Sequence, residues 1–199
     1  MALAFPVVLA VGAGLVLGGR LGALAELSLR APWLFLAAIA LQLVAFPVAV
    51  LPWTTEKTLA SVLWVVSYGL LVVAAVLNRR ITGVPVVALG MGLNLVAILS
   101  NHGTMPVTYD AMRAAGRSEA VQANSTASSD PTLPWLVDRW AAPDWIPFAN
   151  VFSVGDVVIA VGAFVLVVAA MGVRVSWATV RNRDADGDEA LSNNPEAGR

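Results

Sequence analysis

The chain alternates long apolar runs with short polar linkers, and the apolar runs approach the length that spans a membrane. A bilayer core is about 30 Å thick, and about 20 apolar helical residues cross it. Five runs come close to that length with almost no charge: residues 2–19, 34–51, 58–77, 84–100 and 151–173. The pattern predicts an all-α fold, a membrane helix bundle of five transmembrane helices spanning residues 1–180. The first run lacks preceding basic residues, so we interpret it as a retained helix rather than a cleaved signal peptide.

Arginines in the linkers predict the orientation of the bundle. Arg20 and Arg30 lie between the first two runs, and Arg79 and Arg80 lie between the third and fourth. With five crossings, these linkers and the arginines after the fifth run fall on one side, which the positive-inside rule makes cytoplasmic. The N-terminus is then outside, the C-terminus is cytoplasmic, and residues 101–150 form an outer loop.

The two longest polar segments differ in composition. Residues 181–199 lack aromatic and β-branched anchors, which predicts a disordered cytoplasmic tail. A calcium loop starting at Asp184 is excluded because Glu189 and Pro195 stand where such a loop needs glycine and glutamate. The middle of the outer loop is small and polar, which predicts mobility. Its tryptophan-rich end predicts a short helix or turn on the membrane surface, or alternatively an aromatic ligand platform.

Composition supports the membrane assignment and excludes several function classes. The chain is 58% hydrophobic and only 13% charged, against about 25% charged residues in soluble domains. A net charge of −1 gives no basic patch, so we expect no nucleic-acid partner. The absence of cysteine and the presence of one histidine predict no metal site. Without a phosphate-binding or dinucleotide-binding glycine motif, we also expect no cofactor.

Polar residues inside the apolar runs are the first candidates for a functional site. An unpaired polar group in hydrocarbon costs several kcal/mol, so Gln42, Asn94 and Asp156 should face the bundle interior. Asn94 and Asn101 lie two helical turns apart and share one stripe of the fourth helix. Glycines on the fourth and fifth helices allow close approach. We therefore predict that the helix containing Asn94 packs against the helix containing Asp156.

Asp156 and His102 each allow a functional and a structural interpretation. A carboxylate inside a transmembrane helix marks a function by default. As an alternative, Asp156 is a helix N-terminal acceptor, bonded to backbone N–H groups or to Asn101. His102 follows the fourth helix at the same level, where a pair with Asp156 is geometrically feasible. The contrasting interpretation is a solvated side chain at a helix end, and both residues stay weak catalytic candidates.

Two motifs resemble those of a known family. The stretch NRRITGVPVVALGMGLNLVAILSNHGTMPV is similar to an N-G-G-x-M-P-V pattern, and NVFSVGDVVIAVG is similar to an F-S-x-G-D pattern. Both are typical of a family of uncharacterised bacterial multi-pass membrane proteins, a domain of unknown function. The resemblance implies a bacterial plasma (inner) membrane location and no known activity. His102 stands where that family favours glycine. The resemblance implies one polar locus near the outer face, formed by Asn94, Asn101, Gly103, Met105, Pro106, Ser153, Gly155 and Asp156. Gln42 matches a glutamine in the second helix of the family and belongs to the same set of candidates.

Three function classes follow from these residues. The first is a non-enzymatic binding or assembly protein whose outer polar locus recognises a small ligand, a lipid or a membrane-protein partner. The second is a small transporter or proton-linked carrier, suggested by the intramembrane carboxylate. The third is a membrane-embedded enzyme using Asp156 with His102, Asp138 or Asp144. A dry junction at the locus would favour packing, and a blind outer cleft with converging acids would favour catalysis.

Overall fold

The computed structural model describes residues 4–46, 55–116, 125–143 and 151–173. This part of the chain is mostly helical, with four short strands between the last two long helices. The helices are α1 (Ala4–Val16), α2 (Gly22–Ala25), α3 (Trp33–Ala45), α4 (Lys57–Leu77), α5 (Val84–Ser100), α6 (Tyr109–Ala114) and α7 (Val154–Ala170). The strands are β1 (Met105–Thr108), β2 (Ser125–Ser128), β3 (Trp140–Ala141) and β4 (Val151–Phe152). The predicted tail and the end of the second apolar run lie outside the described residues.

Each of the five predicted apolar segments contains a helix, but the helices differ in length. Helix α4, with 21 residues, is long and apolar enough to cross a membrane. Only 28% of its 18-residue apolar window is buried, which is low for the core helix of a soluble domain. The other four apolar helices, α1, α3, α5 and α7, are shorter than this. A helical fold is therefore observed, while five membrane crossings stay a prediction.

The apolar helices do not pack in chain order. Helix α7 lies between α1 and α5, and α4 lies between α5 and α3. The last apolar helix therefore packs beside the first, and α5 contacts both α4 and α7. The predicted packing of the helix containing Asn94 against the helix containing Asp156 is confirmed.

Glycines bring α5 and α7 into backbone contact along an antiparallel seam. A Cβ added at Gly90 would lie 2.6 Å from the Gly155 carbonyl oxygen and 2.7 Å from the Ile159 nitrogen. A Cβ added at Gly162 would lie 2.6 Å from the Val87 nitrogen. These separations leave no room for a side chain, so only glycine permits the observed approach.

The arginine-bearing linkers gather at one end of the bundle. The Arg30 backbone N–H donates to Asn78 Oδ1 at 2.7 Å, and Asn78 Nδ2 donates to the Arg30 carbonyl at 3.0 Å. These bonds attach the linker before α3 to the end of α4. The Arg20 N–H donates to the Met171 carbonyl at 2.9 Å, which joins the end of α1 to the end of α7. The basic residues at this end are Arg20, Arg30, Arg79 and Arg80.

A small folded unit covers the opposite end, where the sequence predicted an irregular loop. We call residues 105–116, 125–143 and 151–152 the cap. Strands β1 and β2 pair in parallel, from Met105 opposite Ser125 to Thr108 opposite Ser128. Strands β3 and β4 pair antiparallel, with Trp140 opposite Phe152. The fold is thus helical with two two-stranded sheets. The small polar residues 125–128 form a strand because β1, about 20 residues earlier in the chain, pairs with them.

Strand pairing adds to what the sequence predicted for this loop. The middle of the loop, predicted to be mobile, contains β2 within its described part. The tryptophan-rich end, predicted to be a surface helix or turn, contains a turn at residues 134–136 and also β3, whose Trp140 ring stacks on Phe152 with centroids 5.9 Å apart. The predicted start of the last helix is also shifted, since residues 151 and 152 belong to β4.

Buried apolar side chains attach the cap to the helices. Met105 is 5% exposed and packs with Tyr68 of α4, Ile98 of α5 and Leu136 of the cap. Met105 therefore turns back into the bundle instead of facing outward with the polar locus. A second cluster, formed by Val107, Ala111, Met112 and Val151, lies within the cap itself. The cap therefore has a core of its own and a firm contact with α4 and α5.

The glycine seam predicts an asymmetric response to two neighbouring substitutions on α5. Gly90→Ala should lower the melting temperature of the detergent-purified protein by several degrees, because its methyl group collides with the α7 backbone; overpacking of this kind costs about 1–3 kcal/mol. Gly92→Ala is the matched control, since no atom lies within 4 Å of its added Cβ. Equal melting temperatures for the two variants would contradict the observed seam.

Candidate functional site

The predicted polar locus centres on a joint between α5 and α7. We call Asn94, Ser153, Gly155 and Asp156 the Asn94–Asp156 joint. Asn94 is 6% exposed and Ser153 is fully buried. The Asn94 side chain occupies the space beside Gly155, so that a Cβ on this glycine would overlap the amide. The two sequence motifs thus meet directly.

Hydrogen bonds within the joint use both carboxylate oxygens of Asp156. Asn94 Nδ2 donates to Asp156 Oδ1 at 2.8 Å. The Ser153 backbone N–H donates to Asp156 Oδ2 at 3.0 Å. The Ser153 hydroxyl lies 2.9 Å from Asn94 Oδ1 and 3.1 Å from Asp156 Oδ2, and it can donate to one of them at a time.

Ser153 and Asp156 also explain why α7 begins where it does. The Ser153 Oγ accepts from the Asp156 backbone N–H at 3.2 Å, and Asp156 bonds back to the Ser153 N–H. This reciprocal pair is a capping box, which satisfies two backbone donors at the helix start. The carboxylate also lies near the positive end of the helix dipole. The F-S-x-G-D pattern is therefore a helix start combined with a close packing glycine.

The joint is a structural contact between α5 and α7. Its polar groups bond to one another, and no side chain larger than glycine fits at positions 90 and 155. The observed partners of Asp156 match the interpretation as a helix N-terminal acceptor. They are the Ser153 N–H and Asn94, whereas Asn101 bonds elsewhere.

Asp156→Asn should destabilise the protein although it preserves shape. In the wild-type protein each carboxylate oxygen of Asp156 accepts an N–H, one from Asn94 and one from Ser153. In the variant an NH₂ group replaces one of these oxygens. That NH₂ group then faces one of the two N–H donors. We expect a loss of about 1–3 kcal/mol, measured as a lower melting temperature in detergent. Asp110→Asn is the control, because Asp110 is exposed in an ion pair with Arg113. An unchanged melting temperature for Asp156→Asn would contradict this role.

Asn101 and Gly103 lie at the end of α5, apart from the joint. Asn101 Nδ2 donates to the Ala97 carbonyl at 2.8 Å and to the Thr132 carbonyl at 2.9 Å, and its Oδ1 accepts from the Thr132 N–H at 2.9 Å. It therefore ties the cap to the helix end. Gly103 has φ +83°, a left-handed conformation that favours glycine, and it packs against Ser61.

His102 is exposed and does not pair with Asp156. Its φ is +57°, also in the left-handed region, where a non-glycine residue costs about 1 kcal/mol or more. The glycine that the family pattern favours at this position suits that conformation better. The proposed histidine and carboxylate pair is not formed, because the Asp156 oxygens are bonded within the joint.

The remaining predicted residues act in separate contacts. Gln42 Nε2 donates to Ser67 Oγ at 3.3 Å and so links α3 to α4. The Pro106 carbonyl accepts from the Asp138 N–H at 3.1 Å inside the cap. The single predicted locus is thus distributed over four places: the joint, the Asn101 tether, the β1 segment and the α3–α4 contact. Asp144 lies outside the described residues.

Asp138 is a buried carboxyl group whose Oδ1 finds no hydrogen-bond partner in the part of the chain that the structure describes. The residue is 5% exposed. Burial, with a smaller contribution from the negative charge of Asp156, raises the pKa of Asp138 to about 8. The group is therefore largely protonated at neutral pH, which lowers the cost of placing it inside the cap.

The raised pKa of Asp138 predicts that the protein is less stable at higher pH. Between the unfolded pKa of about 4 and the folded pKa of about 8, the folded state binds more protons than the unfolded state. The stabilisation is thus fully present below pH 4 and is lost as the pH rises to 8, by up to about 1.4 kcal/mol per pH unit. Melting temperatures measured from pH 5 to 8.5 should fall for wild type and fall less for Asp138→Asn. Parallel curves would contradict the assignment.

A cleft opens between the cap and the ends of α3 and α4. It has a volume of about 410 Å³. Its polar lining consists of Thr55, Lys57, Ser61, Thr104, Ser125 and Thr126. The Ser125 hydroxyl is buried and finds no hydrogen-bond partner within residues 4–46, 55–116, 125–143 and 151–173. No sequence pattern indicates this cleft, because Lys57 and Ser125 are far apart in the chain and neither lies in a recognisable motif.

A second depression adjoins the cleft along α4 and α5, and we call it the groove. Its volume is about 510 Å³, and Lys57, Ser61 and Gly103 line both cavities. Away from these shared residues the groove is lined mainly by apolar side chains, Val62, Val65, Val66 and Leu99, together with Thr58. His102 lies at its polar end.

Comparison with known proteins places the chain in a family. A model described as a family of unknown function, DUF5317, matches residues 26–168. The chain belongs to this family. The matched region includes both motifs of the Asn94–Asp156 joint and most of the described fold. No curated protein and no solved structure matches the chain.

Proposed function

We propose that the chain is a multi-pass protein of the bacterial plasma membrane, with the cap outside and the arginine-bearing end in the cytoplasm. Large apolar side chains are exposed on all five apolar helices, among them Val8, Leu36, Val62, Leu89 and Val161. A bilayer would cover such surfaces. The collection of Arg20, Arg30, Arg79 and Arg80 at one end supports the orientation, since basic residues favour the cytoplasmic side.

We further propose that the protein acts by binding, and that its binding site is the cleft. The observation that carries this proposal is the contrast between two polar places. The Asn94–Asp156 joint pairs its own groups, whereas the cleft contains an unpaired buried hydroxyl at Ser125 and a lysine with no ion-pair partner among the described residues. Unsatisfied groups around an accessible volume favour a ligand.

A proton-linked carrier is the second candidate, because Asp138 is a buried group that titrates near Asp156. A membrane protein that moves protons needs a carboxyl group of this kind. The enzymatic alternative has less support, since Asp156 is engaged in the joint and His102 lies in the groove.

Labelling of introduced cysteines tests the orientation and the cleft together. The chain contains no native cysteine, so Thr126→Cys in the cleft and Thr82→Cys at the arginine-bearing end form a matched pair of exposed positions. On intact cells, a membrane-impermeant maleimide should label Thr126→Cys but not Thr82→Cys. Permeabilised cells should show labelling of both variants. The reverse pattern on intact cells would contradict the orientation.

The same variants test binding after purification. Small-molecule and lipid extracts of the cells should slow the reaction of Thr126→Cys with maleimide, because a bound ligand covers the cleft. The reaction of Thr82→Cys should keep its rate. An unchanged rate for Thr126→Cys in every extract would contradict the proposed binding site.

A further inference from the structure

The cleft and the groove form one amphipathic depression. They meet at Lys57, Ser61 and Gly103, which line both. On one side of these residues the lining is rich in hydroxyl groups, and on the other side it is formed by valine and leucine side chains. A ligand that fills both parts must itself have a polar end and an apolar end.

The polar end has the groups that bind an anion. Lys57 supplies a positive charge, and the Ser125 hydroxyl is a donor that finds no acceptor in the described part of the chain. Ser125 is only 8% exposed, so its missing hydrogen bond is costly unless a ligand supplies the acceptor. The described residues that line the cleft include no acid.

The start of α4 is not itself the anion site. Glu56 caps this helix, and its carboxylate oxygens accept from the Thr58 and Leu59 backbone N–H groups at 3.0 Å. The helix-end donors nearest the cleft are therefore already satisfied. Recognition of an anion must come from the side chains of Lys57 and Ser125 instead.

The apolar end matches a hydrocarbon chain. Val62 and Leu99 are exposed by 53% and 57%, and both line the groove along neighbouring helices. In the proposed orientation the groove runs from the outer headgroup level toward the bilayer core. His102 lies at the polar end of the groove.

We propose that the cleft and groove together bind one phosphate-bearing lipid of net negative charge, with its phosphate at Lys57 and Ser125 and one acyl chain along the groove. This inference rests on the proposed function, of which it names the ligand. A free phosphate ester shares the anionic chemistry but would leave the groove empty. A neutral diacylglycerol would fill the groove but would leave Lys57 and Ser125 without an acceptor.

Binding of short-chain lipids to the full-length protein in detergent tests the inference. The probes are dioctanoyl phosphatidylglycerol, dioctanoyl phosphatidylcholine, dioctanoylglycerol and glycerol phosphate. We expect saturable binding of phosphatidylglycerol, at least fivefold tighter than that of each other probe. Thermal shift and intrinsic tryptophan fluorescence provide independent readouts.

Three variants and a control locate the binding. Lys57→Gln and Ser125→Ala should each weaken phosphatidylglycerol binding about five- to tenfold, as expected for loss of one charged or one hydroxyl partner. Leu99→Ser should weaken the binding of phosphatidylglycerol and leave the binding of glycerol phosphate unchanged. Arg80→Gln, which removes an exposed cation at the opposite end, should have no effect. Ser125→Ala should also retain or raise the melting temperature, which separates lost binding from lost folding.

The outcomes distinguish the sources of the ligand. Equal binding by wild type, Lys57→Gln and Ser125→Ala would show that lipid binds elsewhere and would overturn the inference. If glycerol phosphate binds as tightly as phosphatidylglycerol, the ligand is a free phosphate ester and the lipid assignment is overturned. If dioctanoylglycerol binds as tightly as phosphatidylglycerol, the role of the phosphate is overturned. Protection of Thr126→Cys by cell extracts, without selective lipid binding, would overturn only the lipid and leave the cleft as a binding site.

Discussion

The backbone contact between α5 and α7 is the constraint on which the rest of the fold depends. Gly90 and Gly155 bring two helices so close that the polar groups at the crossing can reach one another. Asn94 can therefore be buried among apolar helices, because Asp156 and Ser153 satisfy its amide. Removing the carboxylate would leave the buried Asn94 amide without its Asp156 acceptor.

The same contact positions the cap and hence the cleft. Ser153 lies between β4 and α7, so the hydrogen bonds of the joint determine where this cap strand meets the helix. Met105 and the Asn101 tether attach the other side of the cap to α4 and α5. Between these attachments, β2 brings Ser125 opposite the start of α4. The cleft is thus a consequence of helix packing rather than a feature of any one segment.

Charge and polarity are separated along the bundle in a way that fits a membrane. The arginines lie at the end of the bundle where Asn78 bonds to Arg30 and Met171 bonds to Arg20. The folded cap covers the opposite end. Two acids at the cap end have different environments. Asp156 is held by hydrogen bonds, whereas Asp138 is buried with an unpaired oxygen and a pKa raised to about 8. The first therefore joins two helices, whereas the second is a buried acid inside the cap.

The sequence by itself determined the apolar helices and the burial of Asn94 near Asp156. These features follow from local patterns, since apolar runs form helices and intramembrane polar groups need partners. Tertiary structure decided the rest. Asn101 tethers the cap instead of joining the Asn94 stripe, His102 faces the groove, and residues 125–128 become a strand because β1 is available as a partner. Lys57 and Ser125 lie 68 positions apart, and only packing of the cap on α4 brings them to one cleft. Such a contact depends on pairing between distant segments, which hydrophobic periodicity and local motifs do not encode.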